Sequence, residues 1–458
     1  MRLSPALRTE LGATLHLAGP LVLAGLLQMG LGATDTAFIA RLGPEPLAAA
    51  SLAVALFSVT IWALSGLSGQ VGALAAAAIG AEGRALREVR RITRMGLWLA
   101  VASGLVAMAI CASGGWLMRV TGQDPAITAM SVQYLDVMLW SAIPLLVSNV
   151  LRAFVSTLGR PVFATVVALL SLPLNALGNY LLVYGAWGAP ELGLPGAAIA
   201  SVLTALTGMA MYVIAIQRDR RLRRYHLFGN FWRPDWPHIR RLIVVGLPVT
   251  VTIVAEAGLF GAAAFLMGRL GALELAAHTV ALSIASLAFQ IPFGIGQAAT
   301  IRVGYFYGAG DIAGVGRAGL VGTVLGQLIA LGSAALMIGA PLLVMAPWID
   351  AGEPGNAALV ALTVSYLTVA AAFQLADSLQ AVLLGALRGL QDTRTPMAYA
   401  VAGYWLAGFG LAIWLGFFTP LAGVGVWLGL AIGLFVVSVL LLHRWRRRAR
   451  LGLLRPRS

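Results

Sequence analysis

The feature that most constrains the fold is an internal duplication, because the second half of the chain repeats the first without a gap. Pro20 falls on Pro248, an offset of 228 residues in a chain of 458. At the same offset, Arg41-Leu42-Gly43 falls on Arg269-Leu270-Gly271. The chain therefore consists of two homologous halves joined near its middle.

The composition indicates a polytopic membrane protein. Apolar residues make up 60% of the chain and charged residues only 10%, against about a quarter charged in soluble proteins. The 31 basic residues are all Arg and lie in short segments between apolar runs, without the interleaved aromatic residues that stack on bases. No nucleic-acid partner is therefore expected. The single Cys111 cannot form an internal disulfide, and the five His residues lack the spacing of metal ligands.

Twelve apolar segments reach the length of about 20 residues that a bilayer requires. The fold class expected is an all-α polytopic membrane protein with twelve transmembrane helices in two six-helix repeats. Because six is even, both repeats enter the membrane in the same direction and are parallel. The predicted spans are 13–39, 47–79, 93–118, 128–151, 162–185, 195–217, 241–267, 275–301, 316–347, 358–386, 396–417 and 420–443.

The Arg residues predict the orientation of these spans. With the N-terminus inside, 28 of the 31 Arg residues lie on the inner side, and only Arg41, Arg119 and Arg269 lie outside. The positive-inside rule therefore predicts a multi-pass protein of the cytoplasmic (inner) membrane with both termini in the cytoplasm. The N-terminal segment is interpreted as a retained first span, not a signal peptide.

The same reading divides the chain into four parts. An N-lobe (1–217) and a C-lobe (242–443) of six helices each are joined by a basic cytoplasmic linker (218–241), and a basic tail (444–458) follows. The tail is interpreted as an orientation signal that contacts anionic membrane lipid.

Three acidic residues lie inside predicted spans: Asp35 in span 1, Glu256 in span 7 and Asp377 in span 10. A charge at the centre of a bilayer costs about 2.5–3.5 kcal/mol, so such carboxylates are expected to face the protein interior or a watery cavity. The chain has no Lys, and no Arg lies within five residues of any of these acids in sequence. Without a local counter-ion they are candidates to take up protons or to bind a metal cation. A purely structural role, as hydrogen-bond partners of a neighbouring helix, is the alternative.

The duplication places these acids at different positions in the two halves. At the fixed offset, Glu256 falls on Gln28 and Asp35 falls on Ala263. Each half is therefore expected to carry its own ion or proton site, and the two halves are not interchangeable in role.

Other polar residues and prolines of the spans are weaker candidates. Asn175 and Asn179 lie one turn apart on one face of span 5, where hydrogen bonding between helices is the alternative to a site role. Asp136 lies near the start of its span and suits the rim of a cavity. Pro20 and Pro248 lie inside spans 1 and 7, where each removes a backbone hydrogen bond and permits a kink.

Catalytic and nucleotide-binding signals are absent or misleading. The GxGxxG pattern at 314–319 opens a membrane span with no preceding strand, and is interpreted as chance and helix packing in a chain with 54 Gly. GxxxxGK[ST], GxSxG and HExxH patterns do not occur. The chain is therefore not expected to be an enzyme, to use ATP directly or to need a cofactor.

Several motifs in order resemble one family. DTAFIARLGPEPLAA from Asp35, its counterpart in the second half, IRVGYFYGAGD from Ile301 and LRGLQDTRTP from Leu387 are similar to the multidrug and toxic compound extrusion (MATE) family, in its NorM-like branch. The resemblance covers about Leu11 to His443. It implies the MATE fold, two six-helix lobes around a V-shaped cavity, and a xenobiotic antiporter that exports organic, often cationic compounds against Na⁺ or H⁺.

The resemblance also implies site residues. Asp35 matches the span-1 acid of the N-lobe, with Asn175 and Asn179 as its polar neighbours. Glu256 and Asp377 match the C-lobe acids that are associated with Na⁺ or another cation in NorM-like members. A small-molecule, organic-cation substrate, membrane lipid as the surroundings and a monomeric state are expected.

Two alternatives remain open. A lipid-linked saccharide flippase of the same superfamily is expected to place basic residues in its central cavity, whereas these spans carry acids. A non-transporting membrane protein, such as a receptor or an assembly factor, is the second.

Overall fold

The computed structural model describes residues 4–81, 85–229 and 232–454, in which all regular secondary structure is helical and no strand occurs. The first half forms nine helices: α1 (Pro5–Ala40), α2 (Pro44–Ser68), α3 (Val71–Gly80), α4 (Ala85–Ala112), α5 (Gly114–Val120), α6 (Pro125–Met138), α7 (Ala142–Thr157), α8 (Val162–Tyr184) and α9 (Leu194–Arg218). A short helix, α10 (Arg220–Arg223), opens the linker.

The second half also forms six spans, but these are interrupted at other points. Its helices are α11 (Trp236–Leu270), α12 (Ala272–Gly308), α13 (Ile312–Gly339), α14 (Pro341–Met345), α15 (Ala357–Gly389), α16 (Arg394–Ala402), α17 (Gly410–Phe417) and α18 (Ala422–Arg446). A π-helix, Gly403–Phe409, joins α16 to α17 in one continuous span.

Twelve helical stretches of the described chain are long and apolar enough to cross a membrane. They confirm the twelve spans and the all-α fold class that the sequence predicts. Exposed apolar side chains such as Leu105 and Leu328 lie on these stretches, as expected of surfaces that face lipid tails rather than water.

The turn that ends the first span is repeated in the second half. Gly43 has a φ of 117° and its counterpart Gly271 a φ of 156°, values that a residue with a side chain rarely adopts. Each Gly precedes a helix, Pro44–Ser68 in one half and Ala272–Gly308 in the other. The duplicated Arg-Leu-Gly motif thus sets the same helix–turn–helix geometry twice.

The chain forms two compact units. Unit 1 comprises residues 1–22 and 251–458, and unit 2 comprises residues 23–250. The boundaries fall inside α1 and α11, so that the first part of each of these helices packs with the other half of the sequence. The predicted lobes, 1–217 and 242–443, differ from these units in those two helix segments, the linker and the tail, and remain a prediction.

Small residues allow the helices of unit 1 to pack closely. A Cβ atom at Gly296 of α12 would lie 2.7 Å from the backbone oxygen of Ala381 in α15. The hydroxyl of Thr300 donates a hydrogen bond of 2.9 Å to the backbone oxygen of Gly385. Such close backbone approach is typical of membrane helix pairs. It fixes the axial position of α12 relative to α15.

Candidate functional site

Asp35 is the centre of a hydrogen-bonded network in unit 2. Its Oδ1 accepts a hydrogen bond of 2.7 Å from Nδ2 of Asn179, and its Oδ2 accepts one of 2.8 Å from the hydroxyl of Ser201. These three side chains come from α1, α8 and α9. A carboxylate that would be costly in the membrane is thus satisfied by donors from two other helices.

Asn175 and Asn179 are 1% and 0% exposed, and they lie on one face of α8 as their spacing predicts. Nδ2 of Asn179 also lies 3.3 Å from Oδ1 of Asn175. Oδ1 of Asn179 has no hydrogen-bond partner among the described residues. The network therefore holds an unused acceptor next to Asp35.

Tyr184, five residues beyond Asn179 on α8, also connects α8 to α1. Its hydroxyl donates a hydrogen bond of 2.9 Å to the backbone oxygen of Phe38, and the two rings lie 5.8 Å apart. This contact holds α8 beside the turn of α1 that carries Asp35.

Two polar residues of α6, Asp136 and Tyr134, differ in their exposure. Asp136, the predicted rim residue, is exposed, and its role stays a prediction. Tyr134, two residues earlier, is fully buried and interacts electrostatically with Asp35. The alternation follows from helix geometry, because positions two apart face different sides.

Glu256 of α11 and Asp377 of α15 lie together in unit 1. They are 8% and 4% exposed, and the two carboxylates interact electrostatically. Oδ1 of Asp377 has no hydrogen-bond partner among the described residues. Two buried carboxylates with an unused acceptor supply hard oxygen atoms, the type of ligand that hard cations prefer.

Side chains that the sequence reasoning did not select surround this pair. Tyr404, on the π-helix, is fully buried and interacts electrostatically with both carboxylates. Arg388, at the end of α15, interacts electrostatically with Glu256. The expectation of no counter-ion near these acids was therefore wrong for Glu256, because the fold brings to it an Arg that is remote in sequence.

The π-helix is fixed against the segment that carries Glu256. Nε1 of Trp405 donates a hydrogen bond of 3.2 Å to the backbone oxygen of Ala255, and a Cβ at Gly258 would lie 3.0 Å from the indole ring. π-Helical turns often occur at functional sites. This one carries both Tyr404, which interacts with the two carboxylates, and Trp405, which bonds the helix of Glu256.

The two prolines lie inside continuous helices. Pro20 falls within α1 and Pro248 within α11, and both helices extend beyond them in each direction. A kink at either residue stays a prediction. Among the described residues, no group of three or more His, Cys, Asp or Glu side chains could hold a metal ion, so any cation at Glu256 and Asp377 must rely partly on other oxygen ligands.

Ser201, Tyr404 and Arg388 had no distinctive signal in the sequence. Ser201 is one of several small polar residues in the spans, and a hydroxyl in a membrane helix commonly bonds its own backbone. Arg388 reads as an inner-side orientation signal. Only the tertiary packing shows that these residues reach the acids.

Twelve helices able to span a membrane in a duplicated chain, with a half-buried carboxylate in unit 2 and two buried carboxylates in unit 1, define a polytopic membrane protein of the secondary-transporter class. The MatE family profile matches residues 20–181 and 248–414. The two matches begin at Pro20 and Pro248, the positions that the internal repeat aligns. The chain belongs to the MatE family.

Curated relatives agree over nearly the whole length. The chain is 39% identical over 445 residues to a "Probable multidrug resistance protein NorM" of Mesorhizobium japonicum, covering 97% of this chain and 95% of that protein. It is 37% identical over 455 residues to a "Multidrug resistance protein NorM" of Burkholderia vietnamiensis, covering 99% and 97%. The NorM-like resemblance is thereby confirmed.

Solved structures share the fold. The eukaryotic MATE transporter AtDTX14 superposes with a TM-score of 0.87 at 21% identity, covering 98% of this chain and 99% of that one. A transporter of the MOP superfamily from Pyrococcus furiosus gives 0.86, also at 21% identity, covering 99% of each chain. The predicted MATE fold is therefore confirmed.

Proposed function

We propose that this protein is a multidrug exporter that exchanges organic cations against H⁺ or Na⁺ across the inner membrane by alternating access. The observation that carries the proposal is the presence of carboxylates inside the helices of both units, the half-buried Asp35 in unit 2 and the buried Glu256 and Asp377 in unit 1. The names of the relatives from Mesorhizobium and Burkholderia support multidrug export as the activity.

Asp35 acts as a proton site in this proposal. As a carboxylate it accepts from Asn179 and Ser201. Protonation converts one of its oxygens into a donor, and the unpartnered Oδ1 of Asn179 supplies an acceptor on the adjacent side chain. Rotation of the Asn179 amide then couples the proton on α1 to the contact between α1 and α8.

Glu256 and Asp377 form the ion site of unit 1. With both groups ionised, two negative charges lie together in the low dielectric of the protein, and Arg388 partly offsets them on the side of Glu256. A bound cation or proton, or a cationic substrate, relieves this repulsion. Competition between ion and substrate for the same negative charge provides the differential affinity that couples the two flows.

Efflux from proteoliposomes separates the coupling ions. Purified protein is reconstituted with ethidium inside, and a Na⁺ gradient or a pH gradient is imposed in separate runs. Asp377→Asn and Asp35→Asn are expected to lower efflux at least tenfold, whereas Glu191→Gln, which removes an exposed loop acid, leaves it unchanged.

The outcomes distinguish Na⁺ coupling from H⁺ coupling and the exporter from its alternatives. Efflux under a Na⁺ gradient that is lost in Asp377→Asn supports a cation at the unit 1 pair, and an effect of the pH gradient alone assigns the coupling to protons. Equal ethidium movement in empty vesicles and in vesicles with the wild-type protein would contradict the exporter proposal. Movement of a lipid-linked saccharide instead would favour the flippase alternative.

A further inference from the structure

Unit 1 contains a second group of buried polar side chains that the proposed ion site does not use. His278 of α12, Tyr366 of α15 and Trp427 of α18 are 1%, 0% and 0% exposed. The centroid of the Trp427 ring lies 5.5 Å from that of His278 and 6.4 Å from that of Tyr366. The three side chains, one from each of three helices, thus form a single cluster around Trp427.

The polar atoms of this cluster are unsatisfied. Among the described residues, neither ring nitrogen of His278, the hydroxyl of Tyr366 nor Nε1 of Trp427 has a hydrogen-bond partner. A buried polar atom without a partner is destabilising, because the hydrogen bond that it makes to water in the unfolded chain is not replaced. Native proteins avoid this cost by placing ordered water at such groups, so several unsatisfied groups in one cluster point to internal water.

Unsatisfied polar atoms continue from this cluster towards Asp377. Tyr366 and Asp377 lie on the same helix, about 16 Å apart along its axis at 1.5 Å per residue. Gln374 lies between them, less than one turn from Asp377, and both of its side-chain polar atoms lack a partner among the described residues. Polar groups that need water therefore occur at several levels between the cluster and the ion site.

At the end remote from Asp377, these unsatisfied polar side chains lie near Glu274, an acid at the start of α12. Glu274 is partly exposed and lies four residues before His278, so the two share a face of the helix. Glu274 also interacts electrostatically with Tyr366. This end of α12 follows the Gly271 turn, on the side predicted to be outside.

Few other charges face His278. On α15 the titratable residues are Tyr366, Asp377 and the distant Arg388, and on α13 the only one is Arg317 near its beginning. Those of α18 lie in its last turn, remote from Trp427. Along α12, Glu274 is the charged residue nearest to His278 in sequence, and the Glu256–Asp377 pair lies on α11 and α15.

We propose that His278, Tyr366, Trp427 and Gln374 line a water-filled path that carries protons from Glu274 to the Glu256–Asp377 pair. His278 accepts a proton on one ring nitrogen from water beside Glu274. It releases the proton of its other nitrogen to water on the side of Asp377, and a ring rotation restores the starting tautomer. The inference rests on the proposed function of the carboxylate pair.

Water at the cluster is tested without transport, by hydroxyl-radical footprinting of the purified protein. Tyr366 and Trp427 are expected to be oxidised at rates close to that of exposed Trp187, despite their burial. Tyr212, a buried tyrosine of an apolar cluster in unit 2, is the dry control. Oxidation of Tyr366 and Trp427 as slow as that of Tyr212 would overturn the path.

The relay is tested in proteoliposomes under a pH gradient. His278→Gln keeps a polar side chain but cannot exchange protons at neutral pH, and is expected to slow efflux about tenfold. His443→Gln, at an exposed position, is the control. Thermal unfolding in detergent verifies that both variants are folded, and the wild-type rate is expected to fall in D₂O while that of His278→Gln changes less.

The failure of this path is distinguishable from failure of the proposed function. If Asp377→Asn abolishes efflux and His278→Gln runs at the wild-type rate, the carboxylate pair stands and the path is wrong. Efflux driven by Na⁺ alone in the wild-type protein also overturns the path. If Asp377→Asn itself transports normally, the proposed function fails first.

Discussion

At the scale of single residues, Ser201 shows how a small hydroxyl can stabilise an acid inside a membrane span. Its hydroxyl supplies one of the two inter-helix donors to Asp35. Ser201→Ala removes a hydrogen bond to a charged group, and we expect the free energy of unfolding to fall by about 1.5–3 kcal/mol. Thermal unfolding in detergent measures the change.

The matched control for this prediction is Ser51→Ala. Ser51 is exposed, and its hydroxyl donates only to the backbone oxygen of Leu47 in its own helix. We expect a change below about 0.5 kcal/mol there. Equal destabilisation by the two substitutions would mean that the Ser201 hydrogen bond does not support Asp35.

The sequence predicts some residues of the site but not their partners on other helices. Periodicity placed Asn175 and Asn179 on one face, and membrane energetics singled out Asp35, because both depend on local sequence and on the bilayer alone. The partners of these residues depend on which helices pack together. Ser201 and Tyr404 reach the acids through contacts between helices remote in sequence, and no local pattern encodes that choice.

At the scale of helices, close packing between α12 and α15 depends on residues without side chains. A Cβ at Gly296 would press on the backbone oxygen of Ala381 at 2.7 Å, and backbone cannot move aside cheaply. We expect Gly296→Ala to destabilise unit 1 by about 1–3 kcal/mol through overpacking. The yield and the thermal midpoint of purified protein measure this effect.

Gly332→Ala on α13 is the control for this packing prediction. Nothing lies within 4 Å of a Cβ at Gly332, so the substitution adds helix propensity without a clash. We expect unchanged or slightly raised stability there. A stable Gly296→Ala protein would show that the two helices do not pack as closely as described.

The linker is a docked element on helix α4. Arg94 donates hydrogen bonds of 2.6 Å and 2.7 Å to the backbone oxygens of His226 and Leu227. Further along, Nε2 of His238 lies 2.9 Å from Oε1 of Glu88. Because Glu88 and Arg94 lie on the same helix, one helix of unit 2 fastens the linker at two places.

Loss of Arg94 is therefore expected to release the linker. Arg94→Gln removes hydrogen bonds worth about 1.5–3 kcal/mol, which raises the undocked population roughly 10–100-fold. Limited trypsin digestion at the linker Arg residues measures this population. Arg87→Gln, at an exposed position of α4, should leave the cleavage rate unchanged, and unchanged cleavage of Arg94→Gln would contradict docking.

Docking should also depend on pH through Asp235, just before α11. Burial acts to raise the pKa of Asp235, but the hydrogen bond and charge of His238 and the charge of Arg91 outweigh it, so the pKa lies below the ordinary value. A depressed carboxyl pKa stabilises the docked state above the unfolded pKa of about 3.9. This stabilising contribution is lost as the pH falls through the pKa that Asp235 has in the docked state.

Pepsin cleavage of the linker between pH 2 and 5 measures this dependence. We expect cleavage of the wild-type linker, corrected for the activity of pepsin on an unstructured peptide, to rise steeply below about pH 4. Asp235→Asn should be cleaved faster at pH 5 and show a smaller rise. An identical pH profile for the two proteins would show that Asp235 does not support docking.

At the scale of the whole molecule, each compact unit is assembled from both halves of the sequence. Unit 1 includes residues 1–22 together with 251–458. Within it, Arg302 donates hydrogen bonds of 2.8 Å and 2.6 Å to the carboxylate of Glu10, which is 3% exposed. A fragment that begins after the linker therefore lacks the partner of a partly buried Arg.

This interleaving predicts how a divided chain behaves. Cutting at 230/231 leaves 1–230 and 231–458, and in the second fragment Arg302 loses Glu10, at a cost of about 3–5 kcal/mol for a broken buried pair. Segment 236–250, which belongs to unit 2, stays on that fragment as well. Neither fragment is then expected to fold alone, whereas co-expression should restore copurifying protein and ethidium efflux. A monodisperse, stable 231–458 fragment would show that residues 1–22 are not integral to unit 1, and Glu10→Gln in the co-expressed pair should weaken copurification.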